Sequence, residues 1–186
     1  METLPINIVV VGKSGSGKSS LCNYLFERPD FFRTGTGKPV TSWEENFQSF
    51  SFDYNGHVLN VFDSVGLEPD NYSKWKDKFN SFVKERRADI TVPPENWVHG
   101  AFYVINANSA RLEPVDQELI GLLSKGLSIP LQVILTNADV AGDKVAALKK
   151  EIQDSFTDVP VTAVCSVSLR KRGGQTTEPF GRNDVL

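Results

Sequence analysis

The stretch "GKSGSGKSS", Gly12 to Ser20, follows directly on the apolar run Ile6–Val11. It reads G-x-x-x-x-G-K-S between a strand-like and a helix-like segment, which is the pattern of a phosphate-binding loop. Each residue type has a reason to be there. Gly12 and Gly17 allow backbone angles and a close approach that a Cβ forbids. The amides of a loop running through Lys13, Ser14, Gly15, Ser16 and Ser20 can then turn inward, at the positive end of a helix starting near Lys18. Lys18 places a point charge between two phosphates, and Ser19 offers a hydroxyl to Mg2+.

Such a loop belongs on a layered α/β fold, and the rest of the chain alternates accordingly. An apolar run like Ile6–Val11 suits a central strand covered on both faces. Phe50, Phe52 and Tyr54 alternate with polar residues, Asn55-Gly56 reads as a hairpin turn, and Val58–Phe62 returns. Ala101–Asn106, Leu131–Leu135 and Val161–Cys165 are the later strands. Helices are expected over Lys18–Phe26, around Tyr72–Val83, over Pro114–Lys125 with Gly126 beyond its end, and around Val145–Phe156. The expected architecture is three-layered: a mostly parallel sheet of about six strands, one of them antiparallel, with helices on both faces. Residues 27–42, rich in Pro and Gly, form an irregular loop.

Three short stretches narrow the chemistry. "DSVG", Asp63 to Gly66, ends the returning strand of the hairpin. There Asp63 can hold a Mg2+-bound water, and the Gly66 amide can reach a γ-phosphate. "TNAD", Thr136 to Asp139, closes an apolar strand. A carboxylate accepts two hydrogen bonds side by side, so Asp139 matches guanine N1–H and its exocyclic amine, whereas adenine presents the wrong donors. The plainer reading of Asp139 is a helix cap. "CSVS", Cys165 to Ser168, counts only by position, as a backbone amide near Ser166 or Val167 facing guanine O6.

With these stretches in this order, the chain resembles the P-loop GTPases of the translation-factor-related class along essentially its whole length, as a single G domain over residues 1–186. "GKSGSGKSS" is most similar to the phosphate loops of the Toc and immunity-associated GTPases. The strand pair in "FSFDYNGHVLNVFDSVGL" is similar to that of Era-like proteins. The resemblance implies a P-loop NTPase fold that binds GTP and GDP with Mg2+ and hydrolyses GTP as a switch whose loops close on the γ-phosphate. It also implies a threonine in the first switch loop as a Mg2+ ligand. Thr34, Thr36 and Thr41 lie there; Thr41 is chosen for its spacing from Asp63, with Thr36 second. Ser19, Thr41 and Asp63 would then be the metal set, and Lys18, Thr41 and Gly66 the catalytic one.

The sequence departs from the family pattern in places. Asn137 stands where the base motif carries lysine, and Leu67 follows Gly66 where Ras-like proteins place a water-orienting glutamine. Intrinsic hydrolysis is therefore expected to be slow, with Glu68 and Asp70 as nearby carboxylates. Gly15 replaces the asparagine of potassium-activated relatives, so no potassium site is expected. Arg33 and Arg111 are candidates for a charge-neutralising arginine, which a second G domain can otherwise supply in a nucleotide-dependent homodimer.

Composition limits the other readings. Net charge is -3 over 186 residues, so no nucleic-acid partner is expected, and Arg170-Lys171-Arg172 is a short solvated run. Cys22 and Cys165 have no metal-ligand spacing and suit reduced core thiols. With no basic apolar leader and no membrane-length apolar stretch, the chain is expected to be cytoplasmic. Trp43, Phe47 and Phe50 are either an effector surface or core. "EPFGRNDVL" reads as the start of a closing helix, as in a fragment of a longer protein. Two other functions remain open: a GTP-holding assembly module without turnover, and a small-molecule kinase, which would need an arginine-rich lid.

Overall fold

The computed structural model describes residues 4–29, 32, 47–64, 66–86, 89–109, 111–168 and 176–186. Six strands form one sheet: β1 (Ile6–Gly12), β2 (Phe47–Tyr54), β3 (His57–Ser64), β4 (Gly100–Asn106), β5 (Leu131–Thr136) and β6 (Val161–Ala163). Their order is β2-β3-β1-β4-β5-β6, and only the β2–β3 pairing is antiparallel. The hairpin turns at Asn55 (φ 52°) and Gly56 (φ 81°), the left-handed pair that matches the twist of flanking strands.

The helices are α1 (Lys18–Leu25), α2 (Tyr72–Glu85), α3 (Pro114–Gly121), α4 (Ala138–Ala141), α5 (Lys144–Ser155) and α6 (Arg182–Val185). Successive residues of a strand face opposite ways, so the run of valines in β1 is divided between two cores. Val9 and Val11 pack with Trp75 and Phe79 of α2, Leu119 and Ile120 of α3, and Leu148 and Ile152 of α5. Val10 packs with Leu21, Cys22 and Leu25 of α1. Both faces of the sheet are covered, which is why β1, β4 and β5 read as continuous apolar runs. Trp75 and Phe79 stack with centroids 4.9 Å apart, a contact that adds about 0.5–1.5 kcal/mol to their burial.

One polar residue interrupts the β1 run. Asn7 is buried, and its side chain is fully used: Nδ2 donates to the Glu95 and Trp97 carbonyls at 2.7 Å each, and Oδ1 accepts from Asn60 Nδ2 at 2.8 Å. Its amide donates to His99 Nδ1 at 3.0 Å. The cluster fixes the start of β1 against the entry to β4, at the end of the sheet away from the glycine loop.

Several boundaries differ from those the sequence suggests. β2 starts three residues before Phe50, because Phe47 already pairs with Ser64. The helix expected to reach Lys125 changes at Leu122 into a π turn over Leu122–Gly126, with Ser124 Oγ donating to the Ile120 carbonyl at 2.6 Å. β6 stops at Ala163 rather than Cys165, because Cys165 exchanges partners. Its amide and carbonyl bond to Phe180, at 3.1 and 3.0 Å, instead of continuing along β5. The stretch "EPFGRNDVL", expected to begin a closing helix, first bridges to Cys165 through Phe180 and then forms the short helix α6 (Arg182–Val185). Phe47 stacks on Phe82 at 4.0 Å and Phe50 contacts Phe32 at 4.2 Å, so both serve the core. Among the described residues no helix is long and apolar enough to cross a membrane.

Candidate functional site

The site lies where β1, β3, β4 and β5 end. β1 closes at Gly12, and the chain turns through Lys13–Gly17 before α1 begins at Lys18. Gly17, with φ 90°, caps the helix in a left-handed conformation that a side chain would strain. The Lys18 ammonium is buried and donates to the carbonyls of Gly12 and Lys13, at 3.0 Å each. Burial pulls its pKa below the ordinary lysine value, and the neighbouring Asp63 pushes back. Ser19 Oγ donates to Asp63 Oδ2 at 2.9 Å. Burial in turn raises the Asp63 pKa, against the opposing effects of Lys18 and Ser19.

The segment after β3 is bound to the glycine loop. The Ser14 amide donates to the Leu67 carbonyl at 3.0 Å, and the Leu67 amide donates to the Gly12 carbonyl at 3.2 Å. Gly66 passes so close that a Cβ there would stand 2.6 Å from Ser14 Cα. Glycine at this position is therefore a steric requirement. Leu67 is 2% exposed and belongs to the core, so its side chain offers nothing to a bound nucleotide. Glu68 is half-buried and Asp70 exposed.

From β5, Thr136 Oγ1 donates to the Ser16 carbonyl at 2.6 Å. This joins the "TNAD" stretch directly to the glycine loop. Asn137 takes a left-handed φ of 55° and caps α4, which puts Asp139 in that helix's first turn, two residues past the cap position. The Cys165 thiol lies against Asp139; burial first, and then that carboxylate, raises its pKa. Ser166 and Val167 face Ser20 and Tyr24 of α1 across a cavity of about 400 Å3. The loop's helix and the last motif therefore line one space.

Buried polar atoms without a partner mark the same rim. Ser16 Oγ, Asp63 Oδ1, Ser64 Oγ and Asp139 Oδ2 are each buried and unbonded among the described residues. Buried polar groups are paired in the great majority of cases, so a cluster of orphans points to a polar ligand. Asp63 Oδ1 beside Ser19 is also the oxygen pair that a hard divalent cation would take.

The structure thus gathers Gly12, Lys13, Ser14, Gly15, Ser16, Gly17, Lys18, Ser19, Ser20, Asp63, Gly66 and Thr136 at one end of the sheet. Asn137, Asp139, Ser166 and Val167 sit beside them on adjoining strand ends. Thr34, Thr36, Thr41, Arg33, Trp43 and the run 170–172 lie outside the described residues. Arg111 is exposed just after β4. Lys13 contributes main chain only, since its ammonium pairs with Asp116 and Glu113 at 2.9 and 3.0 Å. Asp116 was invisible to motif reading; its one local signal is the Glu113–Asp116 capping box.

Comparison with known proteins places this geometry. The family described as 50S ribosome-binding GTPase matches residues 7–137. Neuronal-specific septin-3 of Mus musculus is 30% identical over 149 residues, covering 66% of this chain and 40% of that protein. The chain thus spans about two-fifths of the length of that relative. A structure of the chloroplast translocon components atToc33 and psToc159, for whose GTPase activity dimerisation is important, superposes with a TM-score of 0.68 at 18% identity. It covers 98% of this chain and 81% of that one. Toc33 of Arabidopsis thaliana in complex with Mg2+ and GMPPNP gives 0.60 at 17% identity, covering 89% and 72%. At such identities the likeness to the solved structures is one of fold.

Proposed function

The chain belongs to the family of 50S ribosome-binding GTPases and is a P-loop GTPase G domain, and on that premise we propose that it hydrolyses GTP, with Mg2+, as a nucleotide-dependent switch. The observation that carries this reading is the convergence of three ties at one sheet end: Lys18 on the loop carbonyls, Ser19 on Asp63, and Thr136 on Ser16. Ligands of open α/β sheets bind at this end of the strands.

Each group has a task in this reading. The loop amides and the α1 N-terminus hold the phosphates, and Lys18 neutralises charge between the outer two. Ser19 and the unbonded Asp63 oxygen fit Mg2+, directly or through water, with Thr41 as the proposed third contributor. When bound, the ion would neutralise phosphate charge. Gly66 brings its amide to the γ-phosphate side of the loop. Asp139 selects guanine through two parallel hydrogen bonds, with Ser166 and Val167 at the base edge. The importance of dimerisation for the GTPase activity of the Toc components prompts one further element, a homodimer through this face that supplies a charge-neutralising cationic group.

Because Leu67 is buried, intrinsic turnover is slow. The same observation favours a second reading, in which GTP is held for assembly and hardly cleaved. Phosphate release by the wild type against Lys18→Ala separates them. The switch reading predicts a loss of at least about tenfold, since Lys18 serves the transferring phosphoryl group. Equal rates in both proteins would remove the enzyme and leave the assembly module.

A further inference from the structure

Asp116, in the first turn of α3, has no exposed surface. Its carboxylate accepts three hydrogen bonds: from Tyr103 Oη at 2.8 Å, Lys13 Nζ at 2.9 Å and the Glu113 amide at 3.0 Å. Lys13 lies 103 residues earlier and is the second residue of the glycine loop. Its ammonium also meets Glu113, but that side chain is 45% exposed against 1% for Asp116. The exposed pair contributes little, whereas breaking the buried one strands a charge. Asp116 is thus the anchor, and Tyr103, in the middle of β4, holds the anchor in turn.

The Lys13 peptide occupies a crossing point. Its carbonyl accepts Lys18 Nζ at 3.0 Å and the Ser16 amide at 3.1 Å, and its backbone bridges to Leu67. The orientation of one peptide therefore sets both the lysine on the phosphates and the seam between the glycine loop and the "DSVG" segment. We propose that Asp116 is a positioning residue for this site: acting through Lys13, it holds the loop peptide that orients Lys18 and locks the γ-phosphate side of the loop to Leu67. This rests on the guanine-nucleotide reading above and adds to it a fixed point within α3.

The test compares Asp116→Asn, Lys13→Met, the double variant and Lys13→Arg, with Glu113→Gln as the exposed control. Amide exchange at Ser14, Ser16 and Leu67 in nucleotide-free protein is one readout, and calorimetric affinities for GTP and GDP are the other. Asp116→Asn and Lys13→Met should each speed exchange at those amides about tenfold and weaken GTP about tenfold but GDP only about threefold, while the double variant is no worse than either, as expected of residues that act as one unit. Glu113→Gln should stay near wild type, and Lys13→Arg, which keeps a cation for Asp116, should recover most of what Lys13→Met loses. Unchanged exchange, additive effects or equal losses of GTP and GDP would overturn the proposal. A wild type that binds no guanine nucleotide would refute the functional reading instead, while the exchange data, which need no ligand, would still judge Asp116. If Asp116→Asn does not fold, Lys13→Met alone decides the matter, because its side chain reaches solvent.

Discussion

Replacing Thr136 by valine isolates the tie between the two ends of the site. A hydroxyl has one proton, so of its two contacts, Ser16 O at 2.6 Å and Ile105 O at 3.3 Å, the first is the hydrogen bond. Valine keeps the shape of the 1%-exposed side chain but strands the Ser16 carbonyl. Leaving a buried acceptor unpaired costs about 1–3 kcal/mol. For a domain of this size each kcal/mol lowers Tm by about 2–4 °C, so a cost near 2 kcal/mol predicts a fall of roughly 4–8 °C. Because Ser16 belongs to the phosphate loop, guanine-nucleotide affinity should also drop about tenfold, the equivalent of ~1.4 kcal/mol. Thermal unfolding by circular dichroism and nucleotide titration calorimetry read the two effects. Thr136→Ser keeps the hydroxyl and should retain the affinity, losing only the packing of a methyl. If valine binds nucleotide as the wild type does, or serine is as damaging as valine, the hydroxyl does not tie the two ends together.

Two further changes probe other parts. Gly66→Ala puts a methyl 2.6 Å from Ser14 Cα and 3.0 Å from its amide nitrogen, backbone that cannot rotate away. It should open the seam at Leu67 and weaken GTP more than GDP; equal affinities for wild type and variant in both titrations would place that loop away from the γ-phosphate. His99 accepts from the Asn7 amide, and burial lowers its pKa below the usual 6.5. The folded state then disfavours the imidazolium, so its contribution to stability is complete above about pH 6.5 and is lost as pH falls through the lowered value. Tm should decline on acidification below that point, with a shallower slope in His99→Asn; parallel curves would exclude His99 as the cause.

Much of this was legible where chemistry is local. Gly12–Ser20 advertises itself, because the glycines, Lys18 and Ser19 must be contiguous to wrap a phosphate. Asp63 stands out because "DSVG" ends a strand that follows a glycine loop, and the structure brings it against Ser19. Asn55-Gly56 named its own turn. The missed features are pairings between distant segments. Nothing near Lys13 announces Asp116, and nothing near Thr136 announces the Ser16 carbonyl. β6 ended early for a similar reason: hydropathy shows that Cys165 is buried, but not that its amide has left the parallel ladder for Phe180. The Pro114–Lys125 pattern likewise could not show that the helix widens at Leu122, since an apolar face persists through a π turn.

That a phosphate loop at Lys18 and a carboxylate at Asp139 grip one guanine nucleotide is the proposal on which the function rests. Calorimetric titration of GTP and ATP, in Mg2+, into the wild type and Asp139→Asn tests it most directly. GTP should bind far more tightly than ATP to the wild type, and the variant should lose the preference for guanine, with xanthosine triphosphate gaining, since an amide cannot accept both guanine donors. ATP binding as tightly as GTP, or an Asp139→Asn protein with unchanged guanine preference, would contradict it.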